Sequence, residues 1–97
     1  LSGQDLYFII SVNQLSTATV IWNAVTPTEA LTMMAITADQ TAGTGTITWY
    51  LSDDGTNWTQ ITALDAMQAV NFDVASVRLK CILTGNAEVR AVAWGGY

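Results

Sequence analysis

The segment Trp49-Tyr50-Leu51-Ser52-Asp53-Asp54-Gly55-Thr56-Asn57-Trp58 restricts the fold more than any other stretch of this chain. Thr46, Ile47, Thr48, Trp49, Tyr50 and Leu51 alternate as a strand does, a polar Ser-Asp-Asp-Gly-Thr-Asn run follows, and Trp58 opens the next strand. Asp and Asn tolerate left-handed backbone angles and Gly adopts them without steric cost, so the segment reads as a hairpin. A chain organised around such a unit is all-β.

Alternation recurs elsewhere. Leu6, Phe8, Ile10 and Val12 alternate with Tyr7, Ile9 and Ser11 over 5–12, and Asn13, Gln14 and Ser16 mark a turn. A strand over 17–23 carries Val20 and Trp22, and Pro27 breaks the chain before a strand near 30–37. Ala30 to Ile36 has helical propensity, but its β-branched flanks and all-β surroundings favour strand. Asp39 to Gly45 reads as a loop of small polar residues and the most mobile stretch. Strands follow over 46–52, 57–62, 70–73, 76–84 and 88–94, with Leu64-Asp65-Ala66-Met67 open to one helical turn. Seven to eight short strands predict a single antiparallel β-sandwich, jelly-roll-like.

Composition adds a constraint on the surface. The 97 residues support one core, yet 51% are hydrophobic and only 11% charged. That exceeds what one small core hides, so a homo-oligomer is expected, with a trimer favoured. Leu1 stands where an initiator Met would, which predicts a fragment or C-terminal module of a longer chain. No apolar run approaches the roughly 18 residues that span a bilayer, so no membrane insertion is expected. The net charge of −5 opposes nucleic acid, whose phosphates need a basic footprint. The cations Arg78, Lys80 and Arg90 all fall in the last two predicted strands.

Those two strands pose a register question. Val77, Leu79, Cys81 and Leu83 share one face, and Arg78, Lys80, Ile82 and Thr84 the other. A two-residue Gly85-Asn86 hairpin turn would bury Glu88 and Arg90 beside Cys81, a costly arrangement. A three-residue Gly85-Asn86-Ala87 loop instead sends Val89, Ala91 and Ala93 to the core. Arg90, Val92 and Trp94 then face outward, with Trp94 opposite Arg78 in cation–π range.

Catalytic chemistry finds little support. Without His, the Ser-His and Cys-His systems are missing, and Gly43-Thr44-Gly45 lacks the Lys of a phosphate loop. Asp53 and Asp54 diverge in extended chain and do not form a facing carboxylate pair. With Asn57 they could offer oxygens to calcium, but they equally satisfy N–H groups of the turn, which is the preferred reading. No metal or cofactor is expected. Cys81, the only cysteine, reads as a small core residue. Trp22 and Trp49 read as core, Trp58 as a lid over the hairpin, and Trp94 as outward, serving a subunit contact, a ligand face or ordinary packing.

Tyr50 to Ile61 resembles the strand–turn–strand of discoidin-like (coagulation factor 5/8 C-type) galactose-binding jelly rolls, whose pattern is Ser, any residue, Asp, Gly, two residues, Trp. Val74-Ala75-Ser76-Val77-Arg78-Leu79-Lys80 is similar to their Ala-x-x-Val-Arg-Leu strand, and Asn86 to Gly95 to their closing strand. The same hairpin recurs in small β-sandwich modules of bacteriophage tail fibres, spikes and other virion appendages. The Thr/Ala-rich, Lys-poor composition and Gly-Gly-Tyr end look closer to those. The likeness covers roughly 46–95. The chain is shorter than a full discoidin-type jelly roll and lacks its flanking cysteines.

The resemblance implies a non-catalytic module displayed on a virion surface or extracellularly. The expected task is recognition of cell-surface carbohydrate, with Trp94, Arg78, Tyr50 and the 39–45 loop as ligand candidates. The alternative is a structural trimerisation or capping module of a viral fibre, with Ile82, Val92, Trp94 and Arg90 at the contact.

Overall fold

The computed structural model describes residues 2–11, 17–27, 30–72 and 76–97, with Ile9 the one side chain described in the first strand. Eight strands run through them: β1 Ser2–Ser11, β2 Thr17–Ile21, β3 Leu31–Thr41, β4 Ile47–Ser52, β5 Thr59–Ile61, β6 Gln68–Phe72, β7 Arg78–Thr84 and β8 Glu88–Gly96. They form two four-stranded antiparallel sheets, ordered β1-β8-β3-β6 and β2-β7-β4-β5, here called the first and second sheet.

Each sheet contains nested partners: β1 with β8 and β3 with β6 in one, β2 with β7 and β4 with β5 in the other. The chain is thus one long antiparallel ribbon doubled back at the β4–β5 turn and wrapped into a sandwich. That is jelly-roll topology. The hairpin around Asp53 to Asn57 is the ribbon's tip, which explains why its sequence signal is so plain. Leu31 to Ile36 is strand, as expected, with Ala30 just before it, whereas the 63–66 stretch is a turn with Asp65 at φ 59° and no helix. The turn expected at Asn13, Gln14 and Ser16, and the face assignments of Leu6, Phe8 and Ile10, lie outside what is described. Val74 and Ala75 of the resemblance do as well.

The core lies between the sheets. Leu51, Val77, Leu79, Cys81 and Leu83 of the second sheet face Met34, Ile36, Val89, Val92 and Trp94 of the first, all buried. Each such side chain removed from water contributes roughly 1.5–3 kcal/mol. Trp49, 3% exposed, stacks on Trp22 with ring centroids 6.1 Å apart and donates its indole N–H to Gln40 Oε1 at 2.8 Å. That bond ties β4 to β3 across the sandwich.

Two expectations fail at the end of the chain. β7 and β8 are not a hairpin, because β7 pairs with β2 and β4 while β8 pairs with β1 and β3. The short 85–87 connection carries the chain from one sheet to the other. The alternation in β8 is also interrupted. Asp39 pairs with Ala91 but the next residue, Gln40, pairs with Val89, so Arg90 is one residue extra on β8. A β-bulge of this kind shifts the facing by one position. Val89 and Val92 therefore both point inward, and Trp94 follows at 5% exposure. Arg90 and Ala91 bulge outward together, not Val92 and Trp94.

The corner at 84–87 needs its glycines. Gly85 sits at φ +66°, and a Cβ on Gly45 would lie 1.7 Å from the Thr84 carbonyl oxygen. Asn86 Oδ1 accepts from Thr44 N at 2.7 Å and from Thr44 Oγ1 at 3.0 Å. The expected mobile loop is thus shorter than 39–45: β3 continues to Thr41, and the remaining turn is pinned to this corner.

Candidate functional site

The outward face of the second sheet gathers the unusual surface chemistry. Register sets it: Tyr50 of β4 lies directly opposite Lys80 of β7 on one side and Gln60 of β5 on the other. Ile21 of β2 completes that row beside Lys80. Lys80 Nζ stands 4.7 Å from the Tyr50 ring centroid and 4.3 Å from the Trp58 ring centroid, so one ammonium bridges two aromatic rings. Each cation–π contact at an exposed site is worth roughly 0.5–1 kcal/mol. Tyr50, Trp58 and Lys80 are half-buried, so all three keep part of their surface in solvent.

Arg78 lies two residues before Lys80 on the same face and is exposed. Its side chain runs beside Gly55, where an added Cβ would lie 3.6 Å from Nε. The next row is Thr19, Ile82 and Thr48, and beyond it Thr17 and Thr84, with Thr46 Oγ1 2.7 Å from Thr84 Oγ1. Hydroxyls, one amide, two rings and two cations thus share one sheet face.

The turn beside this face is internally satisfied. Asp54 Oδ1 accepts from Thr56 N at 2.8 Å, Asn57 N at 2.7 Å and Ser52 Oγ at 2.9 Å, and Oδ2 accepts from Asn57 Nδ2 at 2.8 Å. Buried Ser52 Oγ in turn accepts from Gly55 N at 2.9 Å. The backbone N–H groups of Asn57 and Thr56 hold the Asp54 carboxyl well below the usual carboxylate range, with the Asn57 and Ser52 side chains adding to the effect. The acid is the keystone of the turn, which is the preferred sequence reading. Among the described residues no three His, Cys, Asp or Glu side chains gather as a metal set.

Of the sequence-derived ligand candidates, Tyr50 and Arg78 sit on this face and Trp94 does not. Trp94 is in the core, on the opposite sheet, because the Arg90 bulge reverses its expected direction and the crossing separates it from Arg78. The expected contact set is likewise divided. Ile82 is on the outward face of the second sheet, Val92 and Trp94 are buried, and Arg90 is on the outward face of the first. Arg90 is occupied there, with Nε and Nη2 on Asp39 Oδ1 at 3.1 and 2.9 Å, Nη1 on Glu88 Oε1, and Nη2 on Thr41 Oγ1 at 2.9 Å. The Arg90 hydrogen bond lowers the Asp39 pKa.

Lys80 and Trp58 are the members of this face that the sequence-derived candidates did not include. Parity already set Lys80 beside Arg78. What it could not supply was that β4, not β8, is the neighbour of β7, and only that pairing brings Tyr50 and Trp58 to the ammonium. In comparison with known proteins, the chain matches no family model, no curated protein and no solved structure.

Proposed function

We propose that this domain is a non-catalytic binding module that recognises cell-surface carbohydrate through the outward face of its second sheet. The observation that carries this reading is the Tyr50–Lys80–Trp58 cluster, two partly exposed rings held around one cation. Aromatic rings stack on the apolar faces of sugars, and a few polar groups around them fix orientation. Gln60, Thr48 and Thr19 supply such groups on the same face. Display on a virion appendage or a secreted protein accords with the jelly-roll topology, an architecture shared by viral capsid and lectin domains. Glycan-array binding that disappears in Trp58→Ala and Tyr50→Ala, with melting temperature kept within a few degrees, is the expected result. Silence of the intact domain across a broad array contradicts the reading.

A second reading, a trimerising or capping module of a fibre, is favoured by a different surface. The first sheet holds an apolar cleft of about 410 Å³ lined by Ala35, Ile36, Thr37, Asp65, Met67, Ala93, Trp94 and Gly95. Small side chains there allow close approach of another flat surface. Sedimentation at high micromolar concentration tests it, and a monomer rules it out.

A further inference from the structure

We infer that the ligand of the Tyr50–Trp58–Lys80–Arg78 face is an acidic glycan whose sugar carries a carboxylate. The inference rests on the carbohydrate reading above and goes beyond it by assigning the charge. Both ion pairs among the described residues belong to Arg90, and Arg78 and Lys80 enter neither. The domain otherwise carries eight acids. Two cations two positions apart on one strand stand roughly 7 Å from each other along the sheet. That spacing suits one sugar unit with its carboxylate on the arginine fork and its ring against an aromatic face.

The two cations differ in ways that suit different tasks. Arg78 offers a planar set of donors that matches a carboxylate bidentately. Lys80 is held between rings, so its ammonium is fixed in place and an incoming anion meets it with little further loss of side-chain freedom. Asp54, in the turn beside this face, has both carboxylate oxygens engaged by the turn itself. The net charge of −5 does not prevent anion binding here, because the Debye length is about 8 Å at physiological ionic strength and the local cations dominate at contact distance.

The test uses the whole 97-residue domain with polyuronic and polysialic oligosaccharides, each beside its methyl-esterified, uncharged counterpart. The expected result is binding to an acid form, weakened roughly tenfold or more by esterification, by Arg78→Gln and by Lys80→Gln. That binding should also weaken as salt rises from 50 to 200 mM, to an extent on the order of screening at such ionic strengths. Arg78 is exposed, so its variant is expected to melt as the parent does, and melting curves verify this. Equal binding of acid and ester forms overturns the inference but leaves the carbohydrate reading standing. Acid-form binding unchanged in both variants overturns it too, by moving the site elsewhere. Binding to no acidic or neutral glycan removes both.

Discussion

Asp54 shows how one side chain can set a turn. Its two oxygens collect two backbone N–H groups, an amide and a hydroxyl, and the same contacts keep it ionised in the folded state. Asp39, held by Arg90, is depressed as well. A carboxyl whose folded pKa is lowered stabilises the fold fully above its unfolded value, about 3.9, and that contribution is lost as pH falls through the folded value. The melting temperature is therefore expected to hold down to about pH 5 and to drop below about pH 4, with a smaller acid-induced drop in Asp54→Asn. An unchanged melting temperature from pH 5 to pH 2 contradicts this assignment. Gln40 acts differently, accepting the N–H of the buried Trp49 indole. Gln40→Leu is expected to lower unfolding free energy by about 1–3 kcal/mol, read by urea titration, because it strands that N–H in the core. Burial pushes the Cys81 thiol up to about 12. A thiol reagent at pH 8 should modify it only at the rate of unfolding, and rapid labelling of the native domain would show the core to be open.

Strand β8 explains both what could be read from the chain and what could not. Strand positions follow from local alternation and turn residues, so β4, β7 and their neighbours were legible to within a few residues. Which strands pair is a long-range matter. A three-residue Gly85-Asn86-Ala87 link has the length of a hairpin loop, and nothing local distinguishes it from a crossing between sheets. The Arg90 bulge is equally silent, because an extra residue is visible only against its partner strand. The bulge moved Trp94 from an expected surface to the core, and the crossing placed it on a different sheet from Arg78. Trp94→Ala is accordingly expected to destabilise by about 3–5 kcal/mol, seen as a large fall in melting temperature. A variant that melts like the parent would restore the outward assignment. Gly85→Ala should cost about 1–2 kcal/mol from its left-handed backbone alone, before its contact with Gly45 is counted. Of the candidate site, Tyr50, Arg78 and Lys80 could be set facing outward by parity, but their convergence depends on the β4–β7 register.

The molecule as a whole presents two unlike faces. The first sheet is outwardly small and apolar near Ala35, Ala93 and Gly95, with its Arg90 charge neutralised by Asp39 and Glu88. The second is rich in threonine and carries the two remaining cations between and beside aromatic rings. This division accommodates the high hydrophobic content without an exposed core, and it separates a surface suited to self-contact from one suited to a ligand. Amide chemical-shift mapping during titration with an oligosaccharide that binds on an array decides between them in one experiment. Perturbations are expected to concentrate at 48–50, 58–60 and 78–82 on the second sheet. Perturbations confined to 33–37 and 91–95 on the first sheet, or absent from residues 48–50 and 78–82, would contradict the assignment of the Tyr50–Lys80–Trp58 face as the binding surface.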